Sequence, residues 1–367
     1  MRNRIPAAAL TLAAAALAAL SLGSRPAASD DAPGAVYVLT NSPAGNAVVT
    51  FERAADGSLT PGASYATGGT GTGAGLGSQN AVIVSDDGRL LFAVDAGSHE
   101  ITSFRIGPQG LQLAGQAPSG GTTPTSVAFS HGLLYVLNAG VPNNVSGFIV
   151  GRHGEITPLA GSTRPLSAAS TSPAQVGFSS DGDTLIVTER ATNQVVTYAV
   201  AADGQLGAPV AHASAGPTPF GFAVDNRNTV FVSEAGAGGG ASSYRVGEDA
   251  ALTAVSSMLM TGQRAACWAV VTKNGRYGYV TNAGTGNISG FAISADGSAA
   301  LLDPSGVTAV TGGNPTDAAI SHDGQYLYAR VAGLAQIAVF RIGADGSLEP
   351  LAPLTGTPAG LAGLAAR

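Results

Sequence analysis

Thr123-Pro124-Thr125-Ser126-Val127-Ala128-Phe129-Ser130 is followed, after a short turn, by Leu134-Tyr135-Val136-Leu137-Asn138-Ala139-Gly140. Val145-Ser146-Gly147-Phe148-Ile149-Val150 comes next, then His153-Gly154, then Ile156 to Leu159. These are four apolar stretches with partial two-residue alternation, each bounded by turn residues, which is the strand signature. The unit recurs. The slot of Pro124 is filled elsewhere by Gln79, Pro173, Pro219, Ala266, Pro315 and Pro358, at spacings of 45, 49, 46, 47, 49 and 43 residues. Asp-Gly or Asn-Gly turns close the first hairpin at Asp87-Gly88, Asp181-Gly182, Asn274-Gly275 and Asp323-Gly324. They close the third-to-fourth connection at Asp56-Gly57, Asp203-Gly204, Asp296-Gly297 and Asp345-Gly346. Glycine accepts the positive φ that tight antiparallel turns demand. Four-stranded units of roughly 45 residues are propeller blades.

Second strands are expected at Val36–Leu39, Leu90–Val94, Leu133–Leu137, Thr184–Thr188, Thr229–Ser233, Tyr277–Thr281 and Tyr326–Arg330, which makes seven. The first has no inner strand before it, and the last Pro-led segment has no strand after it. The pattern therefore predicts an all-β, seven-bladed propeller of four-stranded antiparallel blades. Its ring is closed by the C-terminal strand, with Pro358 to Leu364 beside Val36 to Thr40. Pro61, Pro158, Pro209, Pro304 and Pro350 mark the fourth strand as the outer edge, where a missing N–H does no harm.

Arg2 and Arg4 precede an apolar run from Ala7 to Leu22, and small residues follow up to Ala28. Residues 1–28 read as a secretory signal peptide, 29–33 as a short linker and 34–367 as the propeller. The run is a little short for an uncleaved anchor, and no long apolar run follows it. The mature chain is expected outside the cytoplasm, secreted or periplasmic, as a monomer without membrane attachment. Losing three arginines leaves 14 basic against 23 acidic side chains, a formal charge of −9. That balance offers no footprint for nucleic acid. Cys267 stands alone, so no internal disulfide forms, and no two histidines have metal-ligand spacing. No cofactor and no metal centre are expected, although an oxygen-ligand cation at the strand-end acids and amides stays open. Gly68 to Gly77 lacks the strand-loop-helix context of a phosphate loop and reads as a linker or a flap.

Tyr279-Val280-Thr281-Asn282, the Pro-led strands, the Asp-Gly turns and the steps Gly275-Arg276-Tyr277 and Gly88-Arg89-Leu90 resemble the bacterial lactonase family of seven-bladed propellers. That family includes phosphogluconolactonases and carboxymuconate lactonizing enzymes. The resemblance covers about residues 34–367 and implies the propeller fold and lactone chemistry. Phosphogluconolactonase-like members carry Pro-His-x-His at a Pro-led strand. Here Ala174, Gln175 and Val176 follow Pro173, and Thr125, Ser126 and Val127 follow Pro124.

The turn between second and third strand gives one corner residue per blade: Thr40, Asp95, Asn138, Glu189, Glu234, Asn282 and Val331. These corners face away from the Asp-Gly turns, and a ligand site is expected at that mouth of the channel. Glu189 and Glu234 are the candidate proton carriers. Arg190, Arg264, Trp268, Asn138, Asn282, Gln175 and Arg330 are the candidate ligand-binding residues. Turn chemistry calls for Asn and Asp at strand ends but not for Glu or Arg, which sets the first group apart. Two readings follow. One is a binder of a small polar or anionic molecule, or of an extracytoplasmic protein or glycan. The other is a lactone hydrolase or carboxymuconate cycloisomerase using the same Glu and Arg residues.

Overall fold

The computed structural model describes residues 34–367. The expected signal peptide and linker lie outside the described residues. No helix among the described residues is long and apolar enough to cross a membrane.

Seven antiparallel sheets follow one another along the chain. Their inner strands are Ala362–Ala366 in blade 1, Val82–Val84 in blade 2, Pro124–Ser130 in blade 3 and Pro173–Phe178 in blade 4. Pro219–Val224, Ala266–Val271 and Pro315–Ile320 serve blades 5, 6 and 7. Neighbouring inner strands touch in that order, and Pro315–Ile320 touches Ala362–Ala366, so the ring closes. Closure uses a later segment than the sequence suggested. Ala362–Ala366 pairs with Gly34–Leu39, through Leu39↔Ala362 and Val36↔Ala366, while Pro358 stays outside the strand. In every other Pro-led blade the proline slot sits opposite the corner residue. Elsewhere the residue before the corner pairs two positions past the slot, as Thr188 does with Gln175, but Leu39 pairs with Ala362, four past Pro358, so the slot has slipped by two. Leu361 and Leu364 fill the junction with blade 7 beside Tyr328 and Ile337.

The outer edges carry proline as expected in Leu59–Ala66, Ile156–Pro158 and Leu348–Thr355. Pro209 and Pro304 fall just outside strands, at Val210–Ala213 and after Ala299–Leu301.

In blades 2 to 7 one hydroxyl ties each blade to the next. Tyr135 in blade 3 donates to the carbonyl of Gly204 in the outer turn of blade 4 at 2.9 Å. Tyr279 reaches Gly346 of blade 7 at 2.9 Å, and Tyr328 reaches Gly57 of blade 1 at 3.0 Å. Where the second strand has no tyrosine, the residue paired with that slot on the third strand donates instead. Phe92 pairs with Ser103, which donates to Gly154; Ile186 pairs with Thr197, which donates to Ala250; Phe231 pairs with Ser243, which donates to Gly297. Tyr135 and Tyr279 face glycine, Gly147 and Gly290, whereas Tyr328 faces Val339. A Cβ on Gly147, opposite Tyr135, would lie 2.6 Å from the phenol ring. The Tyr of the Tyr-Val-Thr-Asn signature is thus an inter-blade brace. Its buried hydroxyl is satisfied, and burial pushes the Tyr135 phenol up to about 12.

Candidate functional site

The corner residues are strand-end fixings before they are anything else. Glu189 is fully buried and accepts from Ser167 N at 3.0 Å, from Ser167 Oγ and from Thr192 Oγ1 at 2.6 Å. Glu234 is fully buried and accepts at Oε1 from Ser214 Oγ at 2.7 Å and Ser242 Oγ at 2.6 Å. Asp95 does the same with Asn46, Thr67 and Thr102. Asn138 instead donates to Ser119 O at 3.1 Å and to Asn144 Oδ1 at 2.9 Å, and Asn282 donates to Asn287 Oδ1 and Ser289 Oγ. Ser119, Ser167 and Ser214 all lie on the segment arriving from the previous blade. The residue type follows from what that segment offers. At Glu189 and Glu234 it presents donors to a carboxylate, and at Asn138 it presents a carbonyl to an amide.

Arg264 is exposed and spends Nη2 on Gly284 O at 3.1 Å. Among the described residues Glu189, Glu234 and Arg264 share no hydrogen-bond partner. Gln175 is part of the channel wall: its Nε2 donates to Phe222 O at 2.8 Å and its Oε1 accepts from Phe222 N at 2.6 Å. Arg330 is half-buried, donates from Nε to Thr316 O at 3.2 Å and opposes the burial cost of Asp317. Asp317 is buried with φ at +77°, a left-handed backbone rare for non-glycine residues, and accepts from Ala318 N at 3.0 Å. Burial raises its carboxyl to about 7.

Arg190 and Trp268 do come together. The guanidinium carbon of Arg190 lies 5.1 Å from the ring centre of Phe220, and Phe220 lies 5.1 Å from Trp268. Phe220, Trp268, Cys267 and Ala174 form a small apolar cluster at the corner face. Nε of Arg190 donates to Ser172 O at 3.0 Å. Its Nη atoms meet no acceptor among the described residues, and burial lowers its pKa. Cys267 is buried and its thiol is pushed up to about 12 by that burial, so it is no nucleophile.

The two ends of the channel differ. At the corner face it is bridged. Gln79 of blade 2 reaches blade 6, donating from Nε2 to Ala269 O at 2.7 Å and accepting at Oε1 from Ala269 N at 3.0 Å. Trp268 Nε1 donates to Ser78 O at 2.9 Å across the same gap. The large cavity, about 1040 Å³, lies below this bridge and runs to the turn face, ending among Ser85, Ser130, Ser179, Asp225 and Lys273. Gln79 and Trp268 thus cross the channel at its corner end. The Gly68–Gly77 segment is no loose flap. Asn41 pins it through Thr72 N at 2.9 Å and Ala74 O at 2.6 Å.

The comparisons with known proteins agree with this architecture. The family model described as Lactonase, 7-bladed beta-propeller matches residues 143–233. No curated protein matches. The chain is similar in structure to the periplasmic gluconolactonase of Pseudomonas aeruginosa, with a TM-score of 0.69 and 20% identity, over 89% of this chain and 98% of that one. It is similar to a putative 6-phosphogluconolactonase of Bacteroides uniformis, with a TM-score of 0.72 and 18% identity, over 88% and 97% of the two chains. A putative 6-phosphogluconolactonase of Bacteroides fragilis gives 0.70 and 16%, over 92% and 99%. At these identities the likeness is one of fold.

Proposed function

We propose that this chain, a seven-bladed propeller resembling the lactonase family, acts outside the cytoplasm and binds a small polar or anionic ligand at the corner-face mouth. The observation that carries this is the state of Arg190. Its guanidinium lies against Phe220, is anchored through Nε alone, and keeps both Nη atoms without a protein acceptor among the described residues. A partly desolvated guanidinium is costly unless an anion answers it, and its planar fork suits a carboxylate. Trp268 and Phe220 supply an apolar wall beside it. Glu189 and Glu234 hold the inter-blade segments in place beneath. The likeness to a periplasmic gluconolactonase supports a sugar acid or its lactone as the ligand class and an extracytoplasmic location.

A second reading is lactone opening or closing by the Glu and Arg residues of the same face. One observation favours it: burial raises the Glu234 carboxyl to about 7, where it can exchange a proton at neutral pH. Its full burial and its two serine partners weigh against direct contact with a substrate.

Calorimetric titration with gluconate, together with a glucono-lactone hydrolysis assay, tests both. Arg190→Ala is expected to weaken gluconate at least about tenfold, the value of one charged hydrogen bond, with the melting temperature nearly unchanged. Wild-type affinity in that variant, or no gluconate binding by the wild type, overturns the binding reading. Hydrolysis lost in Glu234→Gln with gluconate binding intact favours the second.

A further inference from the structure

The turn face carries a recess that the first site does not use. It adjoins the main cavity, measures about 260 Å³ and takes residues from four blades. Its walls are the half-buried ends of inner strands: Val84 of blade 2, Val271 of blade 6, Ile320 of blade 7 and Ala366 of blade 1. Its rim holds Lys273, His322 and Arg367. Lys273 is the only lysine in a chain of formal charge −6. Its Nζ lies 3.3 Å from His322 Nε2 and 3.5 Å from His322 O. Among the described residues no carboxylate pairs with this ammonium. The described ion pairs, Arg53–Asp323, Arg89–Asp87, Arg227–Asp225 and Arg341–Glu349, leave Lys273 and Arg367 out. Asp86 is the one acidic side chain among the described residues lining the recess, and it disfavours a ligand of more than one negative charge.

From this placement we propose a second, separate site at the turn face for a small apolar monocarboxylate. The carboxylate meets Lys273 and Arg367 at the rim, and the apolar body enters between Val84, Val271 and Ile320. The recess is at the small end of ligand pockets, which suits a single ring or a short chain. This site stands independently of Arg190, because the Gln79 bridge and the length of the inner strands separate the two ends of the channel.

Benzoate is a suitable probe, titrated by calorimetry, with neutral benzamide as its isostere. Benzoate should bind saturably and benzamide at least about tenfold more weakly, the ratio expected for losing one charged contact. Lys273→Ala, an exposed substitution, should weaken benzoate by a similar factor and leave melting unchanged. Trp268, the only tryptophan, reports on the opposite end. Its fluorescence should stay constant on adding benzoate and change on adding gluconate. Equal binding of benzamide, an unaffected Lys273→Ala variant, no saturable binding, or a benzoate-induced change in Trp268 emission would each overturn the proposal. Failure of gluconate to bind would bear only on the corner-face site.

Discussion

Glu234 shows how little a residue's type says about its work. From sequence, a glutamate at a strand end looked like chemistry, because turns do not call for one. In the structure it is the acceptor for two serine hydroxyls, and its Oε2 lies beside the Gly216 backbone without a hydrogen bond of good geometry. Nothing local announces this, since Ser214 belongs to the previous connection and Ser242 to the next strand. The raised pKa has a thermodynamic consequence. The fold prefers the neutral carboxyl, so Glu234 favours folding below its unfolded pKa, near 4.5, and that contribution is lost as pH rises through about 7. Two to three pKa units correspond to about 3 kcal/mol. Glu234→Gln is therefore expected to melt above the wild type at pH 8 and to lose that advantage at pH 5. Melting curves at the two pH values check it, and a variant equally destabilised at both would show that the carboxyl is held ionised. Asp317 titrates in the same direction, so some pH dependence should persist in the variant.

At the scale of the strand, the repeat was legible and its logic was not. Proline slots and Asp-Gly turns placed the blades because they are dictated by backbone geometry, which a local sequence records. The hydroxyl supplied by Tyr on the second strand, or by Ser or Thr opposite that slot on the third, records something else, its delivery to the next blade's outer turn. It becomes visible only when the register Tyr135↔Gly147 and Phe92↔Ser103 is known. Tyr279→Phe should leave the Gly346 carbonyl without its donor and cost about 1–2 kcal/mol. For a domain of this size the melting temperature should fall by roughly 1.5–3 °C, with ring closure intact by circular dichroism. A variant as stable as the wild type would remove the brace from the account. The slipped slot in blade 1 has the same origin. Pro358 matched the repeat by type, but the closing strand is set by where Leu361 and Leu364 find their cavity against blade 7.

For the whole molecule, fold class and blade number were written in the spacing of the repeats, whereas the polarity of the channel was not. Which end is bridged depends on contacts such as Gln79 with Ala269 and Trp268 with Ser78, which join residues 190 positions apart. The proposed export rests on the first 28 residues, and the native protein is expected to begin near Ser29 outside the cytoplasm. N-terminal sequencing of protein recovered from the extracytoplasmic fraction checks this, and retained Met1 in the cytosol would refute it.

The Gln79 bridge makes the ring a cup rather than a pipe. Anything that enters the main cavity from the turn face meets the Gln79 and Trp268 contacts at its far end. Such a molecule could hold two unlike guests, one at each face. Clipping one amide, as in Gln79→Ala, would be the first step in turning a vessel into a conduit.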